Sequence, residues 1–462
     1  MYTEDTIAAI ATPPGIGGVG IIRVSGTRCF EIVSTLFQAK GTVPLEKRPN
    51  RTIQYGHIID PQKDNEVLDE VLLLIMRGPQ SFTAEDVIEI QCHGGIVVVR
   101  EILKVLLCQG ARLAEPGEFT KRAFLNGRID LTQAEAIIDI IEAKSEQSLS
   151  VAVKQLDGTL AQLIRTIRED LIALIAHLEV AIDYPEEDIE ELTMDETAAK
   201  LRPILAQIDN LLATANRGRL LRDGIITAIV GRPNAGKSSL MNALLRENRA
   251  IVTDVPGTTR DSIEEAITIE GIPVRLIDTA GIRETEDIVE KIGVDRAKEY
   301  LESAQIVICV IDASKPLTAD EEAMLRHTSG KNTIVFLNKA DKGSVVTEAM
   351  VNTYGTFTVV ATISAAKGEG MEVLAKAVKE LVYGGTVQNE STALLSNVRH
   401  ITLMEQAKSQ LHTSLETIEA GLPVDFVVTD MREAWERLGD ITGDSLRESM
   451  VDELFSRFCL GK

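Results

Sequence analysis

The chain is 462 residues long, with 44% hydrophobic and 26% charged residues. This composition is typical of an ordinary globular protein, and the length predicts roughly two to four domains. The 48 basic and 70 acidic residues give a formal net charge of −22. Because phosphate contacts supply most of a protein's affinity for nucleic acid, binding to such a polyanion requires a local basic patch or a basic partner.

Three further features predict a cytoplasmic protein. No run of about 18 or more apolar residues is present to form a transmembrane helix. The first residues include Glu4 and Asp5, where a secretory signal peptide needs basic residues. The five cysteines are dispersed without any metal-binding spacing, which suits a reducing compartment.

Residues 1–120 predict an α+β domain. Short apolar or alternating runs, separated by turn residues, predict strands at Thr6–Ala11, Val19–Val24, Val71–Met76 and Val87–Gln91. A helix is predicted at Ile96–Leu107. The segment Gly15–Gly20 fits the dinucleotide-binding pattern GxGxxG, but it leads into a predicted strand where that fingerprint requires a helix. We therefore interpret it as a glycine-rich turn.

Residues 121–216 and 385–462 predict two parts of one helical domain. Apolar residues recur at three- and four-residue steps from Leu156 to Leu178 and again from Val398 to Ile418, which is the period of amphipathic helices. Between them, residues 217–384 alternate apolar strands with helical segments, the pattern of an α/β domain. Because the flanking helices need each other's apolar faces, we predict that the α/β domain is inserted into a discontinuous helical domain.

The segment Gly231–Ser238 matches the phosphate-binding motif GxxxxGK[ST]. It follows a predicted strand and opens a predicted helix, which is the context that the motif requires. Backbone N–H groups of such a loop cradle phosphates. We expect Lys237 to neutralise the β- and γ-phosphates as a catalytic residue and Ser238 to bind Mg2+. The GTP-binding residues predicted here are Asn234, Ala235, Gly236, Lys237, Ser238 and Ser239.

Three further motifs follow in the order that guanine-nucleotide-binding domains require. Asp278 ends a strand and supplies a carboxylate for the water shell of the metal, and Thr259 is the expected switch threonine that meets Mg2+. Asp341 can accept two hydrogen bonds from guanine, and adenine lacks that pair of donors. The residues that these motifs add to the predicted GTP site are Thr253, Asp254, Val255, Pro256, Gly257, Thr258, Thr259, Asp278, Thr279, Ala280, Gly281, Asn338, Lys339, Asp341, Ser364, Ala365 and Ala366.

One position departs from the Ras-like pattern. Ile282 follows Gly281 where a glutamine would orient the attacking water, and an apolar side chain cannot do so. The site therefore needs another device. Asn234, within the phosphate loop, is a candidate ligand for a monovalent cation placed where an arginine finger would bring its charge.

Motifs at both ends of the chain carry a resemblance to a known family. They are Ala-Thr-Pro-Pro-Gly at 11–15, Glu-Phe-Thr-Lys-Arg-Ala-Phe-Leu-Asn at 118–126, Gln-Ala-Glu-Ala at 133–136 and Cys-Leu-Gly-Lys at 459–462. Together with the GTPase motifs, they make the whole chain resemble the MnmE (TrmE) family of tRNA wobble-uridine modification GTPases.

The resemblance implies roles for particular residues. The residues implied to contact a folate are Arg23, Glu89, Arg128 and Lys462. The residues implied to hold metal ions are Asn234, Thr253, Val255 and Thr258 for K+, with Ser238 and Thr259 for Mg2+. Two further catalytic roles are implied: Glu290 would orient the water indirectly, and Cys459 would act in the uridine chemistry.

The resemblance also implies cofactors and partners. The cofactors are Mg2+, K+ and a reduced folate, either 5-formyl- or methylene-tetrahydrofolate, as one-carbon donor. The partners are GTP, tRNA and the FAD-containing protein MnmG (GidA) in a heterotetramer. The N-terminal domain would form a homodimer, and the GTPase domains would dimerise transiently.

Simpler interpretations stay open at this point. A regulatory or ribosome-assembly GTPase would use the same nucleotide motifs as a switch without substrate chemistry, although such a protein is expected to carry a basic RNA-binding module. Arg23 and Glu89 fit ordinary surface charges on strands. Cys459 fits a small hydrophobic residue beside a helix-ending Gly461. The thiol is a competent nucleophile or acid only if its pKa is tuned, which sequence does not reveal.

Overall fold

The computed structural model describes residues 5–39, 43–183, 193–248, 264–278, 301–384, 395–445, 448–456, 458 and 461. By its contacts the chain divides into two compact units. The first comprises the chain up to Ile138 together with the residues from Gly439 onward, and the second comprises Asp139–Leu438. The three domain boundaries expected from sequence, after residues 120, 216 and 384, stay a prediction.

The first unit is built on a seven-stranded sheet. In chain order its strands are β1 (Ile7–Ile10), β2 (Val19–Ser25), β3 (Phe37–Ala39), β4 (Thr52–Asp60), β5 (Glu66–Met76), β6 (Val87–His93) and β7 (Arg112–Leu113). Their order across the sheet is β3-β4-β5-β6-β2-β1-β7. Neighbouring strands are antiparallel, except that β1 and β7 are parallel. Gly15–Gly18 lie in the β1–β2 connection, as predicted for a glycine-rich turn, whereas Val19 and Gly20 of the predicted turn already belong to β2.

Two helices cover one face of this sheet. They are α1 (Cys29–Leu36) and α2 (Ile96–Cys108), and their apolar residues form one core with those of the strands. Ile32 of α1 and Ile102 of α2 are buried in this core, as are Ile22 and Ile90 of the central strands. Because successive side chains of a strand point to opposite faces, the neighbours of these core residues lie on the other face.

The other face carries the charged residues. Arg23 of β2 is directly opposite Glu89 of β6, which in turn is opposite Leu74 of β5. At the β1 end a small apolar cluster that includes Ala9 and Phe119 lies on this face. Phe119 belongs to α3 (Glu118–Leu125), which is followed by α4 (Leu131–Glu142).

The last helix of the chain belongs to the first unit. It is α15 (Glu448–Phe455), and it lies against α3, where Lys121 and Asp452 form an ion pair of 2.6 Å. Gly461 is buried with φ +89°, and a Cβ placed there would meet the Ile10 carbonyl oxygen at 2.3 Å. The backbone near the end of the chain therefore approaches the end of β1 as closely as only glycine allows.

The second unit contains helices from both sides of the α/β segment. They are α5 (Glu146–Leu156), α6 (Thr159–Asp183), α7 (Met194–Leu212), α8 (Ala215–Asp223), α13 (Val398–Glu419) and α14 (Val424–Thr442), of which α14 ends beyond Leu438. Helices α7 and α13 pack against each other, and Lys408 and Asp209 form an ion pair of 2.6 Å between them. The expected discontinuous helical domain is confirmed by this packing.

The inserted α/β segment has a six-stranded sheet. Its strands are β8 (Ile225–Val230), β9 (Glu264–Ile269), β10 (Ile272–Asp278), β11 (Ile306–Asp312), β12 (Thr333–Asn338) and β13 (Val359–Thr362), in the spatial order β13-β12-β11-β8-β10-β9. All pairs are parallel except β9–β10. The described helices that belong to it are α9 (Lys237–Asn248), α10 (Ala319–Thr328), α11 (Glu348–Val351) and α12 (Glu372–Tyr383).

Burial explains the sequences of two neighbouring inner strands of this sheet, β11 and β12. Ile306–Asp312 and Thr333–Asn338 are buried on both faces almost throughout, which is why they read as continuous apolar runs rather than alternating ones. Each ends in a polar residue at the carboxyl edge of the sheet, where ligands bind in open α/β folds. Within the described residues, none of the helices combines the length and apolarity needed to cross a membrane.

Candidate nucleotide and cofactor sites

The phosphate loop connects β8 to α9. The loop ends at Lys237, the first residue of α9, so the N–H groups of that helix face the segment Gly231–Gly236. Lys237 is buried, and its Nζ donates hydrogen bonds of 2.8 Å to the carbonyl oxygens of Gly231 and Arg232. Ser238 and Ser239 are exposed at the start of the helix. Lys237 and Ser238 thus lie at the place that the motif predicts for phosphate and metal.

Gly236 allows the phosphate loop to approach the base-recognition segment. Its φ is +104°, and a Cβ there would lie 2.1 Å from Nδ2 of Asn338. That Nδ2 atom donates a hydrogen bond of 2.9 Å to the Ala235 carbonyl oxygen. The Asn338 Oδ1 atom accepts one of 3.0 Å from the backbone N–H of Ala365. Asn338 is 2% exposed. Through these two hydrogen bonds its amide joins the phosphate loop, the segment after β12 and the loop that contains Ala365, all at the same edge of the sheet.

The residues predicted to recognise the base lie around this amide. The Ser364 hydroxyl donates a hydrogen bond of 3.1 Å to Oδ1 of Asp341, which orients the carboxylate. Lys339 Nζ donates one of 2.7 Å to the Asn234 carbonyl oxygen. Asn234 is exposed with φ +65°, a backbone conformation that asparagine tolerates better than most residues. Ala366 follows, exposed, in the same loop as Ser364.

Part of the predicted nucleotide site lies outside the residues that the structure describes. The backbone of Asp278 ends β10, in register with Ile229 of β8, so it reaches the same edge of the sheet as the phosphate loop. The predicted residues that lie outside the described residues are Thr253, Asp254, Val255, Pro256, Gly257, Thr258, Thr259, Thr279, Ala280, Gly281, Glu290, Cys459 and Lys462. Of the predicted Mg2+ ligands the structure therefore describes Ser238, and of the predicted K+ ligands it describes Asn234.

The first unit holds a second candidate site, centred on Arg23. Its Nε and Nη2 atoms donate hydrogen bonds of 2.9 and 2.7 Å to Oε1 of Glu89. The guanidinium carbon lies 4.8 Å from the ring centroid of Phe82 and 5.5 Å from that of Phe119. Both distances are within the range of cation–π attraction. Nη1 of Arg23 is buried and has no hydrogen-bond partner among the described residues, so this group retains an unused donor.

Arg128 brings a second positive charge to Phe82. Its guanidinium carbon lies 5.0 Å from the ring centroid, and its Nη1 atom donates a hydrogen bond of 2.7 Å to the Phe82 carbonyl oxygen. Partial burial and the neighbouring charge of Arg23 lower the pKa of Arg128. Glu89 offsets one of the two positive charges, so the local balance favours an anionic ligand. The structure therefore brings together Arg23, Glu89 and Arg128, as the resemblance implied.

Sequence reasoning did not identify the two aromatic residues of this site. Phe82 precedes β6 in a loop, and Phe119 lies in α3. The loop is held by Arg122, which is 5% exposed and whose Nη1 donates hydrogen bonds of 3.1 and 3.3 Å to the Glu85 carboxylate. No spacing in the sequence connects Phe82 to Arg23. The usable signal is the strand register, which sets Arg23 opposite Glu89, because a partly buried cross-strand charge pair is a candidate site.

Comparisons with known proteins match family models to both parts of the chain that hold a candidate site. Residues 131–459 match the model of the MnmE helical domain, and residues 6–128 match that of the GTP-binding protein TrmE N-terminus. The chain is 49% identical over 463 aligned positions to the tRNA modification GTPase MnmE of Geobacillus thermodenitrificans (strain NG80-2), with all of both chains covered.

Two further relatives carry the same name. The chain is 50% identical over 463 positions to MnmE of Geobacillus kaustophilus (strain HTA426), again over all of both chains. It is 50% identical over 459 positions to that of Ligilactobacillus salivarius (strain UCC118), covering 99% of this chain and 98% of the relative. Identity at this level, over this length, leaves one conclusion: the chain belongs to the MnmE family of tRNA modification GTPases.

Proposed function

We propose that the chain is a potassium-dependent GTPase that, with a flavoprotein partner, drives the carbon-5 modification of wobble uridine in tRNA with a reduced folate as one-carbon donor. GTP hydrolysis in tRNA modification follows from membership of the family. The observation that carries the folate part of this proposal is the Arg23 site, which has paired aromatic rings and a buried donor without a hydrogen-bond partner among the described residues. A switch GTPase without substrate chemistry has no need of such a site.

The nucleotide-binding residues support GTP as the ligand. The Lys237 ammonium lies within 2.8 Å of two backbone carbonyls of the phosphate loop, where it can neutralise phosphate oxygens. Asp341, oriented by Ser364, can accept hydrogen bonds from the ring N–H and the amino group of guanine. Adenine would leave that carboxylate without its donors, which is a strong basis for discrimination.

Two metal ions complete this proposal. Ser238 and Thr259 would hold Mg2+, which neutralises charge on the phosphates when bound. K+ would be held by Asn234, Thr253, Val255 and Thr258. The charge of this ion would take the place of an arginine finger. The exposed position of Asn234 in the phosphate loop suits such a ligand. Glu290 would orient the attacking water, because Ile282 cannot.

The Arg23 site fits a reduced folate by its chemistry. A pterin ring presents adjacent N–H donors that a carboxylate such as Glu89 can accept, and its flat face matches the Phe82 and Phe119 rings. The unused Nη1 donor of Arg23 suits a ring carbonyl. Arg128 suits the carboxylates of the glutamate tail. Either 5-formyl- or methylene-tetrahydrofolate would satisfy this description.

The end of the chain is proposed to serve the same site. Gly461 approaches Ile10 of β1, and the preceding strand residue, Ala9, is directly opposite Arg23. This arrangement supports roles for Cys459 in the uridine chemistry and for Lys462 at the folate. A thiol near the one-carbon donor would be a competent nucleophile or acid if its pKa were tuned.

The sheet face that carries Arg23 supports the proposed homodimer. Ile53 and Tyr55 of β4 and Leu72 of β5 lie on this face and are 62%, 40% and 39% exposed. Such a group of large apolar residues is typical of a protein interface. We propose that a second copy covers it, while the GTPase domains dimerise transiently during turnover.

The charge of the chain supports a partner with a basic surface. A net charge of −22 gives little electrostatic attraction to tRNA. We propose that the FAD-containing MnmG (GidA) supplies much of the cationic surface in a heterotetramer, and that the complex acts in the cytoplasm.

Binding of a reduced folate tests the proposed cofactor site. Calorimetric titration of full-length protein with 5-formyl-tetrahydrofolate is expected to show binding that Arg23→Met weakens at least about tenfold, because a charge-assisted hydrogen bond contributes about 1.5–3 kcal/mol. Arg100→Met, which removes an exposed arginine of α2, is the matched control and is expected to change the affinity less than about twofold. Well-folded wild-type protein that binds no folate would refute this part of the proposal.

A further inference from the structure

The strand next to the base-recognition segment supplies a carboxylate that no nucleotide motif includes. Asp312 is the last residue of β11 and is directly opposite Asn338 of β12. Its Oδ2 atom accepts a hydrogen bond of 2.6 Å from Nζ of Lys339. The two side chains are only 13% and 24% exposed, so this ion pair is shielded from solvent more than a surface pair is.

The same ammonium also bonds to the phosphate loop. Lys339 Nζ lies 2.7 Å from the Asn234 carbonyl oxygen, so it bridges Asp312 and the phosphate loop. Lys339 and Asn234 both have left-handed backbones, with φ +66° and +65°. Such conformations are unfavourable for most residues other than glycine, so they persist because the surrounding hydrogen bonds hold them.

Asp312 is itself fixed in orientation. Its Oδ1 atom accepts hydrogen bonds of 2.6 Å from the Ser314 hydroxyl and 3.2 Å from the Ser314 backbone N–H. Oδ2 is thereby directed to Lys339. Burial would raise the pKa of Asp312, but the hydrogen bonds from Lys339 and Ser314 bring it below its ordinary value. The carboxylate is therefore charged at neutral pH and offsets the ammonium.

Two connections thus join the base-recognition segment to the phosphate loop, and they differ in kind. Asn338 bonds to Ala235 through a buried neutral amide. Lys339 bonds to Asn234 through a flexible side chain with four rotatable bonds. The amide is short and is also held by the Ala365 N–H, whereas the long lysine side chain needs a second anchor to keep one conformation. Asp312 is that anchor.

We propose that Asp312 is a positioning residue for guanine-nucleotide binding, which fixes Lys339 and, through it, the backbone of Asn234 in the phosphate loop. This inference rests on the proposed nucleotide site. Its physical basis is preorganisation: the lysine is ordered before the ligand binds, so binding does not bear the entropy of ordering it. It also connects the base-recognition residues to the loop position proposed to hold K+.

A double-mutant cycle on the full-length protein tests the proposal, with calorimetric Kd for GDP as the measurement. Asp312→Asn keeps the shape of the side chain and removes its charge. We expect this substitution to raise the Kd about tenfold, the size of one charge-assisted hydrogen bond. In a Lys339→Met background it is expected to raise the Kd by less than about twofold, because Asp312 then has no lysine to position.

Controls separate a positioning role from a loss of stability. Asp320→Asn makes the same change at an exposed residue of α10 and is expected to leave the Kd within about twofold. The unfolding temperature without nucleotide is measured for every variant. If Asp312→Asn does not yield folded protein, Asp312→Glu, which keeps the charge but moves it by one methylene, goes through the same cycle.

Each outcome decides between the two claims. Equal losses of affinity in the wild-type and Lys339→Met backgrounds, or no loss in either while Lys339→Met alone weakens binding, would overturn the role of Asp312. If Lys339→Met leaves GDP affinity unchanged, the proposed base-recognition site is wrong, and the inference fails with it.

Discussion

The nucleotide loops and the Arg23 site both collect positive charge, but they are constructed differently. Lys237 begins α9 and Lys339 follows β12, both at the carboxyl edge of a mostly parallel sheet, and both ammonium groups bond to carbonyls of the phosphate loop. Arg23 and Arg128 instead share the ring of Phe82, and Arg23 keeps a buried donor that no other described residue accepts from. In the first site backbone carbonyls hold the charged groups in place. In the second site the side chains of Glu89 and Phe82 hold Arg23.

This difference determines what a single substitution can reveal. A loop site depends on a few charged side chains that act directly on the phosphates, so removal of one side chain should affect hydrolysis strongly. The Arg23 site distributes recognition over two charges and two rings, so each should contribute less. Variants in one unit should leave the ligand of the other unit bound normally.

Lys237→Ala is expected to have the largest effect. Loss of a preorganised charge aimed at a reacting phosphate costs about 100- to 1,000-fold in rate, so kcat/KM for GTP should fall by about that factor. Phosphate release measures the rate, and Lys379→Ala, at an exposed residue of α12, is the control. Folate affinity should stay within about twofold. A loss smaller than about tenfold would mean that Lys237 does not have the proposed role.

Replacement of potassium by sodium should have the next largest effect. At constant ionic strength we expect turnover to slow at least about tenfold, equivalent to about 1.4 kcal/mol of barrier. Asn234→Gly removes the proposed ligand and keeps the left-handed backbone, so it should bring the rate in potassium close to the rate in sodium. Glu290→Ala should slow the chemical step while GTP binding stays nearly normal. Equal wild-type rates in the two salts would exclude the cation mechanism.

A small effect is expected at His93, beside the first unit's charged face. The hydrogen bond between Nδ1 of His93 and Oδ1 of Asp69, 2.7 Å long, raises the pKa of His93 above its ordinary value of about 6.5. The pair therefore stabilises the folded state fully below that ordinary value and loses its contribution as pH rises through the raised pKa. In an NMR titration Asp69→Asn should return the pKa of His93 towards 6.5. An unchanged pKa would show that this hydrogen bond does not raise it.

The two sites also differ in how far sequence predicts them. The phosphate loop and the segment at Asn338 are contiguous motifs whose chemistry is local, so their residues could be named before their positions were known. Phe82 could not be named, because its contact with Arg23 depends on how a loop is held by Glu85 and Arg122. Contacts between distant segments arise from tertiary packing, which local patterns do not encode.

The fold shows the same limit at particular strands. β4 (Thr52–Asp60) was not predicted, although Ile53 and Tyr55 alternate with polar residues. Gly56 in its centre resembles a turn signal. In the structure it instead allows β3 to approach closely, since a Cβ there would meet the Gln38 carbonyl oxygen of β3 at 2.3 Å. β9 was also missed, because Glu264 and Glu265 make it too polar for a core strand, and it lies at the edge of its sheet.

Mass spectrometry of tRNA nucleosides tests the central claim most directly. Total tRNA from cells that contain this protein is compared with tRNA from cells that lack it, and the Lys237→Ala variant is supplied as a third condition. We expect wobble uridines to lack their carbon-5 aminomethyl or carboxymethylaminomethyl group without the protein and with the Lys237→Ala variant. Unchanged wobble-uridine modification in cells that lack the protein would contradict the proposed function.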